Sequence, residues 1–542
     1  MKPSTWQRFN RWLSLLLVMG LLAACVAGIT APATGTQPSS TSGGELIVGL
    51  EGDIVALDPA FAYDPIVNPV VNAITEGLLK FKNGETVEPN LAESSENPDP
   101  LTYIYHIRQG VTFQDGSPMT TADVIFSMER IRNPETASYL GWMYESVETI
   151  TQLDDWTIQV TLKQPDAGWQ YVLATTAGHV ISKAYYETHQ ATFGKPEGGL
   201  LGTGPFKFVS WRSGSEIVLE KYTDYWDKAN GGPYLDQITF KIVPEGTTRV
   251  AGLQTGELSA LLIALPNDQL PVVQQMAHVE LQLTESFATD AIVFNTQRPP
   301  FDNVKVRQAL NYAVDKAQAT KTLLGDAATV ARGTDVMPRL WTFEKEQWMA
   351  AYDALPTYAY DLEKARQLLA ESGVADQLNG KEITTDGSPV PLGQSLVLQA
   401  AAKELGIALT IRQVTFEELN TLLFSAARDY DLIATLWGAD FPDPAGNLLP
   451  VFHSRFVGEG GTNFGNYQNA EVDKLLDEQN ALIDNTQRAA LLIEAQQIIA
   501  DNSVWIVFDH PMQSFALNKA FTGYEISPLS IWDAFAKNIR KK

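Results

Sequence analysis

Apolar and polar residues alternate in the early part of the chain in a way that predicts β-strands. A short apolar run at 45–50 predicts a first strand. Residues 101–113 alternate well enough for two strands interrupted near Gly110, and residues 154–165 and 216–222 repeat with a period of two. This part of the chain is therefore expected to be rich in β structure.

The spacing changes to that of amphipathic helices in the carboxyl-terminal half. Asn303 is suited to cap a helix over 304–316, and Asp361 is suited to cap a helix over 362–372 that Gly373 ends. In both segments the apolar residues recur at helical intervals, which puts them on one face. Two packed helices are expected here.

Helices and strands then alternate. The pattern predicts a helix at 394–405, a strand at 408–414, a helix at 416–427 and a strand at 431–437. Such alternation indicates an α/β lobe with a partly parallel sheet. Ligands bind beyond the carboxyl ends of strands in sheets of this kind. The segment 438–444, which follows the last strand, is therefore the first place to expect a site.

Length and charge narrow the class of protein. The chain has 542 residues, and single cores stop growing at roughly 250–300 residues, so about two to four domains are expected. There are 39 basic and 64 acidic residues, for a formal net charge of −25. A surface this acidic has no broad basic face to follow phosphates, so no nucleic-acid partner is expected.

The amino terminus has the pattern of a secretory signal. Residues 1–12 contain three basic residues and no acid, and a short apolar run follows up to Cys25, the single cysteine. Leu22-Ala23-Ala24-Cys25 resembles the bacterial lipobox, in which the cysteine is lipidated. We expect a lipoprotein signal peptide at 1–24, lipid attachment at Cys25 and a flexible tether at 25–44. A plain signal peptide or a buried thiol is the alternative.

Sequence motifs for catalysis and metal binding are absent. The six histidines are dispersed, and HExxH, paired-cysteine zinc, GxSxG and phosphate-loop patterns do not occur. No catalytic residue, metal ligand or cofactor is predicted. The 64 acidic residues leave open a secreted hydrolase with an unmarked carboxylate pair.

Several blocks together resemble the extracytoplasmic solute-binding proteins of family 5, the peptide, oligopeptide and nickel receptors of ATP-binding-cassette importers. The blocks are 103–131, 202–208, 294–316, 360–373, 436–444 and 462–476. The resemblance implies an α/β fold: a two-lobed clamshell like that of periplasmic binding proteins (type II, cluster C), hinged by two crossing strands, with an additional β-rich domain. It implies lobe I at 45–78, 201–287 and 505–542, an extra domain at 79–200, and lobe III at 288–504.

The resemblance also implies candidate ligand contacts. In peptide-binding relatives, the acidic residue that matches Asp440 pairs with the α-ammonium group of the ligand. A carboxylate enclosed with one cation forms a charge-assisted bond, which strengthens where water is excluded. A turn-forming role is the alternative for Asp440 in this proline-containing loop, and is the interpretation we prefer for Asp443.

Residues on either side of Asp440 extend the candidate site. An extended backbone at Trp437, Gly438 and Ala439 is suited to pair with a peptide backbone, although Trp437 equally fits core packing. Leu57 and Phe61 lie in a segment that matches a cleft-lining part of lobe I in relatives. Asn295 and Arg307 also lie in strong motifs, and for both a structural role is expected.

One departure from the family pattern concerns the ligand carboxylate. Dipeptide receptors have a basic residue just before the helix expected to begin near Gln394, and the segment 383–393 has neither Lys nor Arg. Strict dipeptide specificity is therefore doubtful, unless Arg332, Arg339 or Arg412 substitutes.

Nickel is also disfavoured as a ligand. No histidine lies in a recognisable cleft segment, although His510, near the expected hinge, is untested.

The expected function is that of a lipid-anchored, extracytoplasmic and monomeric receptor. It would capture peptides, oligopeptides rather than strictly dipeptides, and deliver them to a membrane permease driven by separate ATPase subunits. Receptors for an oligosaccharide, an opine or nickel are alternatives within the family. A secreted hydrolase and a sensory or chaperone protein are alternatives from other classes.

Overall fold

A computed structural model describes residues 43–333 and 336–542. The expected signal peptide, Cys25 and nearly all of the tether lie outside the described residues. The strands are β1 (Glu45–Leu50), β2 (Leu79–Lys82), β3 (Thr86–Pro89), β4 (Ala92–Asp99), β5 (Thr102–Ile107), β6 (Val147–Asp154), β7 (Thr157–Leu162), β8 (Phe206–Arg212), β9 (Glu216–Lys221), β10 (Gln237–Ile242), β11 (Ala260–Leu262), β12 (Val279–Glu285), β13 (Ala288–Phe294), β14 (Ala328–Val330), β15 (Glu382–Thr385), β16 (Thr410–Gln413), β17 (Leu432–Gly438), β18 (Trp505–Asn518), β19 (Phe521–Thr522) and β20 (Arg540–Lys541).

The α-helices, which are joined in places by short 3-10 turns, are α1 (Asn68–Ile74), α2 (Thr121–Arg132), α3 (Trp169–Val172), α4 (Lys183–His189), α5 (Gly246–Thr255), α6 (Leu270–Gln274), α7 (Val304–Ala313), α8 (Lys316–Leu323), α9 (Lys345–Ala354), α10 (Leu362–Ser372), α11 (Pro389–Glu404), α12 (Phe416–Phe424), α13 (Ala445–Phe452), α14 (Ala470–Asn480) and α15 (Asn485–Asp501).

A large mixed sheet runs through the fold in the order β16-β15-β17-β13-β18-β11-β1-β10-β9-β8. On one side of β18, β1 runs parallel to both β10 and β11. On the other side, β15 runs parallel to β16 and β17, while β13 is antiparallel to β17. The partly parallel sheet expected for the carboxyl-terminal half is confirmed.

The long strand β18 connects the two halves of this sheet. Its first part pairs with β13, from Trp505 to Asp509, and its second part pairs with β12 and β11. The chain crosses between the halves a second time from β12 to β13, through Ser286 and Phe287. Two crossing segments are the geometry in which two lobes close by hinge bending. The boundaries given above for lobe I, the extra domain and lobe III stay predictions, and we keep those names for the regions.

Two buried carboxyl groups meet at this crossing. Asp290 of β13 pairs with Asp509 of β18 beside a register shift in the ladder, and their side chains hydrogen-bond each other. Gln394 and Thr320 also donate to Asp509, at 3.4 and 3.2 Å. Burial raises the pKa of Asp509 to about 6, and burial together with Asp509 raises that of Asp290 well above its ordinary value. The pair therefore retains a shared proton.

The extra domain has its own antiparallel sheet, in the order β4-β5-β7-β6. It packs with α2, where Thr120 and Asp123 form a capping box. Its buried residues Tyr105 and Trp169 belong to the same continuous apolar cluster as Ile433 and Leu448 of lobe III. The extra domain thus shares a core with one face of the lobe III sheet.

The helix starts predicted at Asn303 and Asp361 and the stop at Gly373 are confirmed, whereas the helix predicted over 304–316 ends at Ala313 and a separate helix, α8, begins at Lys316. The Asn303 side chain accepts a hydrogen bond from the N–H of Lys305 at 3.0 Å, and Asp361 accepts one from Lys364 at 2.9 Å. Gly373 follows α10 in the left-handed conformation, with φ of 70°.

The helix expected at 394–405 begins earlier, at Pro389. Proline is tolerated in the first turn of a helix, where its missing N–H would have no partner. The segment 383–393 is therefore the end of β15, a short turn and the first turn of α11, rather than a loop. In the part of the chain that the structure describes, no helix is both long and apolar enough to cross a bilayer.

Candidate functional site

The loop 438–444 connects β17 to α13 at the carboxyl end of β17, where the sequence places the candidate site. The backbone carbonyls of residues 440–443 each accept a hydrogen bond, and these bonds fix the path of the loop. The acceptors and donors are Asp440 O with Trp532 Nε1 (3.2 Å), Phe441 O with Asp443 N (2.8 Å), Pro442 O with Thr342 Oγ1 (2.7 Å) and Asp443 O with Gly446 N (2.9 Å).

Asp440 meets a residue of lobe I. The hydroxyl of Tyr63 lies 2.9 Å from Oδ1 and 2.8 Å from Oδ2 of the carboxylate. The Asp440 side chain is half-buried, and burial raises its pKa to about 7, although the Tyr63 hydrogen bond acts in the opposite direction. Asp440 is therefore a carboxylate at the lobe boundary that changes charge near neutral pH.

Aromatic side chains from all three regions surround the loop. Phe441 stacks on Tyr171 of the extra domain with centroids 5.7 Å apart, and lies 6.5 Å from the Trp142 ring. Tyr63 and Trp532 of lobe I lie 6.1 Å apart. Asp440 and Phe441 are thus the lobe III residues on which contacts from lobe I and the extra domain converge.

The predicted residues before Asp440 belong to β17 and its end. Gly438 pairs with Ala288 of β13, and the N–H of Ala439 donates to Phe287 O at 3.0 Å. On the opposite edge β15 pairs with β17 only at Leu432 and Ile433. Within the described residues, the last part of β17 therefore has a strand partner on one side only.

Trp437 is half-buried and packs against the core. Its ring lies 5.8 Å from that of Phe464 in an edge-to-face arrangement. This contact supports the core-packing alternative for Trp437, and its role in ligand binding stays a prediction.

The two lobe I candidates are in different environments. Leu57 is fully buried in the lobe I core, and its N–H donates to Gly194 O at 2.7 Å. Phe61 is half-buried and packs edge-to-face on Tyr139, at 5.3 Å. Phe61 therefore has solvent-accessible surface and Leu57 does not. The ligand-contact roles of both residues stay predictions.

Asp443 has both a turn role and a second role. Its Oδ1 accepts from the N–H of Ala445 at 2.9 Å, as a turn-forming aspartate does. Its carboxylate also forms a buried ion pair with Arg488 of α15, with Nη2 at 3.0 Å from Oδ1 and 2.9 Å from Oδ2.

The three arginines considered as partners for a ligand carboxylate are already paired. Arg332 bonds Asp353 at 2.6 Å, Arg412 bonds Glu418 at 2.9 Å, and Arg339 lies 3.5 Å from Glu85. Each of these arginines therefore has its charge already balanced by an acid of the same chain.

The remaining sequence candidates have neighbours within the fold. Asn295 donates to the carbonyls of Arg428 and Tyr430, and Arg307 donates to those of Phe301, Asp302 and Asn502. These contacts match the structural roles expected for both.

His510 lies in β18 at the hinge. It is buried, its Nδ1 is 3.1 Å from Thr289 Oγ1, and burial lowers its pKa to about 4. Among the residues that the structure describes, no group of three or more His, Cys, Asp and Glu side chains is placed to bind a metal ion.

Two lobes joined by crossing strands, with an acidic loop at their boundary, define the class of extracytoplasmic solute-binding receptors. The sequence pattern of bacterial extracellular solute-binding proteins, family 5, matches residues 86–459. The chain belongs to this family, and the predicted fold class is confirmed. Proteins of this family bind solutes outside the cytoplasm for permease and ATPase subunits of ABC importers.

Similar proteins cover nearly the whole chain. The heme-binding protein A of Haemophilus influenzae is 32% identical over 560 residues, covering 96% of this chain and 97% of its own. The oligopeptide-binding protein AppA of Bacillus subtilis, solved with a nonapeptide, superposes with a TM-score of 0.76 at 25% identity, covering 93% and 100%. DppA of Helicobacter pylori, solved with the peptide STSA, gives 0.76 at 26% identity, covering 92% and 98%.

Three residues around Asp440 are not predicted from the sequence. Tyr63 and Trp532 come from distant parts of lobe I, and Arg488 lies on a helix that begins 41 residues after the candidate loop. Tyr63 lies within the cleft-lining segment that contains Leu57 and Phe61, so that segment carried a partial signal. Nothing in the sequence near Trp532 or Arg488 indicates a contact with the loop.

Proposed function

We propose that this protein is a lipid-anchored receptor that captures peptides between its lobes and delivers them to an ABC permease. Asp440 binds the α-ammonium group of the peptide. One observation supports this proposal most directly. The Tyr63 hydroxyl of lobe I hydrogen-bonds the half-buried Asp440 carboxylate of lobe III, where the two lobes meet. A cation enclosed there would be bonded from lobe III and covered by lobe I.

The charge state of Asp440 suits this role. Its pKa of about 7 lies close to neutral pH, so a nearby ammonium group readily draws the carboxyl into its charged form. A charge-assisted hydrogen bond is about twice as strong as a neutral one, and its strength grows where water is excluded.

The edge of β17 supports peptides over other solutes. The backbone of Leu436–Gly438 is extended, pairs with β13 on one side, and leads directly to Asp440. A peptide backbone added along the other side would gain main-chain hydrogen bonds that do not depend on side-chain identity. This arrangement fits oligopeptides of varied sequence.

The pairing of the arginines supports oligopeptides over strict dipeptides. A buried ligand carboxylate without a counter-charge is costly, and the charges of Arg332, Arg339 and Arg412 are already balanced by Asp353, Glu85 and Glu418. A longer peptide would keep its carboxyl end away from Asp440. Water or solvent-facing groups would then solvate the carboxylate of the peptide.

Native mass spectrometry of the purified full-length protein tests the ligand class, because enclosed ligands often co-purify. We expect a series of bound peptide masses that disappears after partial denaturation and refolding. Bound oligosaccharide, opine, nickel or heme would contradict the peptide proposal and leave the fold and family in place. Turnover of any bound peptide would instead support the hydrolase alternative.

The anchor is tested separately. We propose that Cys25 is lipidated and that the mature protein is a monomer tethered to the outer face of the membrane. Wild type grown with a radioactive fatty acid should carry the label and Cys25→Ser should not, while peptide binding by the purified variant stays unchanged. An unlabelled wild type would contradict the lipid anchor. Uptake that persists after deletion of the gene would favour a sensory or chaperone role.

A further inference from the structure

We propose that Asp443 and Arg488 are positioning residues that hold the Asp440 carboxylate in place for the ligand cation. This proposal rests on the proposed function of Asp440 and adds two residues that act on the ligand only through Asp440. It begins from a contrast between two carboxylates of one loop. Asp443 is paired with a cation of its own chain, whereas the Asp440 carboxylate accepts hydrogen bonds from the neutral hydroxyl of Tyr63.

The ion pair is buried, and both carboxylate oxygens of Asp443 take part in it. The side chains of Arg488 and Asp443 are 2% and 4% exposed. One guanidinium nitrogen, Nη2, lies within 3.0 Å of both carboxylate oxygens. Oδ1 also accepts from Ala445 N, the first residue of α13. The carboxylate therefore ties the end of the loop to α13 and to α15 together.

Arg488 is held by its own neighbours. Its Nη2 also donates to Gln479 Oε1 of α14 at 3.2 Å, and its guanidinium carbon lies 5.1 Å from the centre of the Phe343 ring. Gln479 is fully buried and donates in turn to Leu476 O. These contacts hold the guanidinium in place independently of Asp443, so it acts as a fixed point beneath the loop.

The consequence for Asp440 follows from the chain length between the two acids. Asp440 is three residues before Asp443, and its backbone carbonyl accepts from the Trp532 indole of lobe I at 3.2 Å. The ion pair at Asp443 therefore restrains the position at which the loop presents Asp440. Without the ion pair, a buried charge on either Asp443 or Arg488 would be left unpaired, which favours a shift of the loop.

The Trp532 indole provides a readout of loop position that requires no ligand. Its Nε1–H signal is observed by NMR in protein labelled at tryptophan and is assigned with Trp532→Phe. Asp443→Asn keeps the acceptor for Ala445 N and removes the charge. We expect this variant, and Arg488→Gln, to shift the Trp532 signal and to increase its exchange with solvent. Arg488→Lys, which keeps the charge, should recover part of the wild-type signal.

Arg307→Gln is the matched control for a merely structural effect. Arg307 is a buried arginine of the same lobe whose hydrogen bonds go to backbone carbonyls away from the loop. The control should lower thermal stability as Asp443→Asn does and leave the Trp532 signal unchanged. An equal change in the control, or no change in Asp443→Asn, would overturn the positioning role.

A binding cycle tests whether the ion pair acts through Asp440. Tetra-alanine and N-acetyl-tetra-alanine are titrated calorimetrically into wild type, Asp443→Asn, Asp440→Asn and the double variant. We expect Asp443→Asn to weaken tetra-alanine about tenfold or more, and the acetylated peptide much less. In the Asp440→Asn background the Asp443 substitution should add little, because the interaction it supports is already gone.

The two proposals fail in different ways. Additive losses in the cycle, or equal losses for both peptides, would overturn the positioning role while peptide binding by the wild type stands. If the wild type binds neither peptide, the proposed function of Asp440 is overturned, and the Trp532 signal still decides whether Asp443 and Arg488 hold the loop.

Discussion

The Tyr63 hydroxyl lies within 2.9 Å of both carboxylate oxygens of Asp440, although the two residues are 377 positions apart in the chain. One proton donor of lobe I thus covers an acid of lobe III that titrates near neutral pH. The same acid cannot be both protonated and a partner for a ligand cation. Ligand binding should therefore be linked to a proton.

The affinity for tetra-alanine should rise as pH increases through about 7, the pKa of Asp440 in the free protein. Tyr63 lowers that pKa by its hydrogen bond. Tyr63→Phe should therefore move this limb of the pH profile to higher pH. Calorimetric titrations from about pH 5.5 to 7.5 measure the limb, because the peptide's own amine, with a pKa of about 8, loses its proton above this range.

Tyr139→Phe is the matched control for the pH profile. Tyr139 is exposed and packs on Phe61 without touching the carboxylate. Its removal should leave the limb in place. An unchanged profile in Tyr63→Phe, or an equal shift in the control, would show that the Tyr63 hydroxyl does not tune Asp440.

The buried pair Asp290 and Asp509 makes stability depend on pH with a defined sign. Both pKa values are raised in the folded state, so the folded state binds protons more strongly than the unfolded chain. Their contribution to stability is complete below the unfolded pKa of about 4 and is lost as pH rises through about 6 and above. The contribution of this pair to the free energy of unfolding should therefore fall between about pH 4 and pH 8, while the lowered pKa values of the buried His179 and His510 act in the opposite direction.

Asp290→Asn should reduce this fall, because it replaces a carboxyl group that stays protonated in the folded state but ionises in the unfolded chain with a neutral amide, which keeps a donor for Asp509. At about pH 8 we expect the variant to be more stable than the wild type by on the order of 2 kcal/mol, and the advantage should vanish near pH 4. Urea unfolding at several pH values measures the difference. Asp353→Asn, at an exposed acid paired with Arg332, is the control. A variant that is less stable at every pH would contradict the shared proton.

The carboxyl end of the peptide should contribute little to binding. Since Arg332, Arg339 and Arg412 are paired within the fold, C-terminal amidation of tetra-alanine should change affinity by less than about threefold. Calorimetry with the acid and the amide measures the ratio. A loss of about tenfold or more on amidation would mean that a basic side chain of the cleft binds the carboxylate, and would favour dipeptide-type recognition.

The cap of α10 offers a test of local folding. Asp361→Ala removes the acceptor for the N–H of Lys364 and should lower the free energy of unfolding by about 1 kcal/mol. Asp361→Asn keeps an acceptor and should cost less. Chemical denaturation of both variants checks the difference, and an equal cost for the two would show that the cap contributes no stability through this bond.

Local chemistry explains what the sequence predicts well. Asn303, Asp361 and Gly373 act on neighbours within a few residues, so their roles can be derived from spacing alone. The helix α11 begins at Pro389, five residues before the predicted start, because proline fits the first turn of a helix.

Long-range contacts explain what the sequence does not predict. The alternation of helices and strands predicts the strand that ends before Asp440. The family resemblance identifies Asp440 as the candidate ligand contact. Its partner Tyr63 and the fixed point Arg488 depend on which elements pack together, and no periodicity encodes that. The raised pKa of Asp440 likewise follows from burial by residues distant in the chain.

The role of Asp440 is tested most directly by the affinity of wild type and Asp440→Asn for tetra-alanine and its N-acetyl derivative, measured by calorimetry near pH 7.5. Asp429→Asn, at an exposed acid of the same lobe, is the control. We expect Asp440→Asn to weaken tetra-alanine binding by about 1.5–3 kcal/mol and acetylation to weaken binding to the wild type to a similar extent. The two changes together should cost little more than either alone. Unchanged affinity in Asp440→Asn would contradict the central claim that this carboxylate binds the ligand's ammonium group.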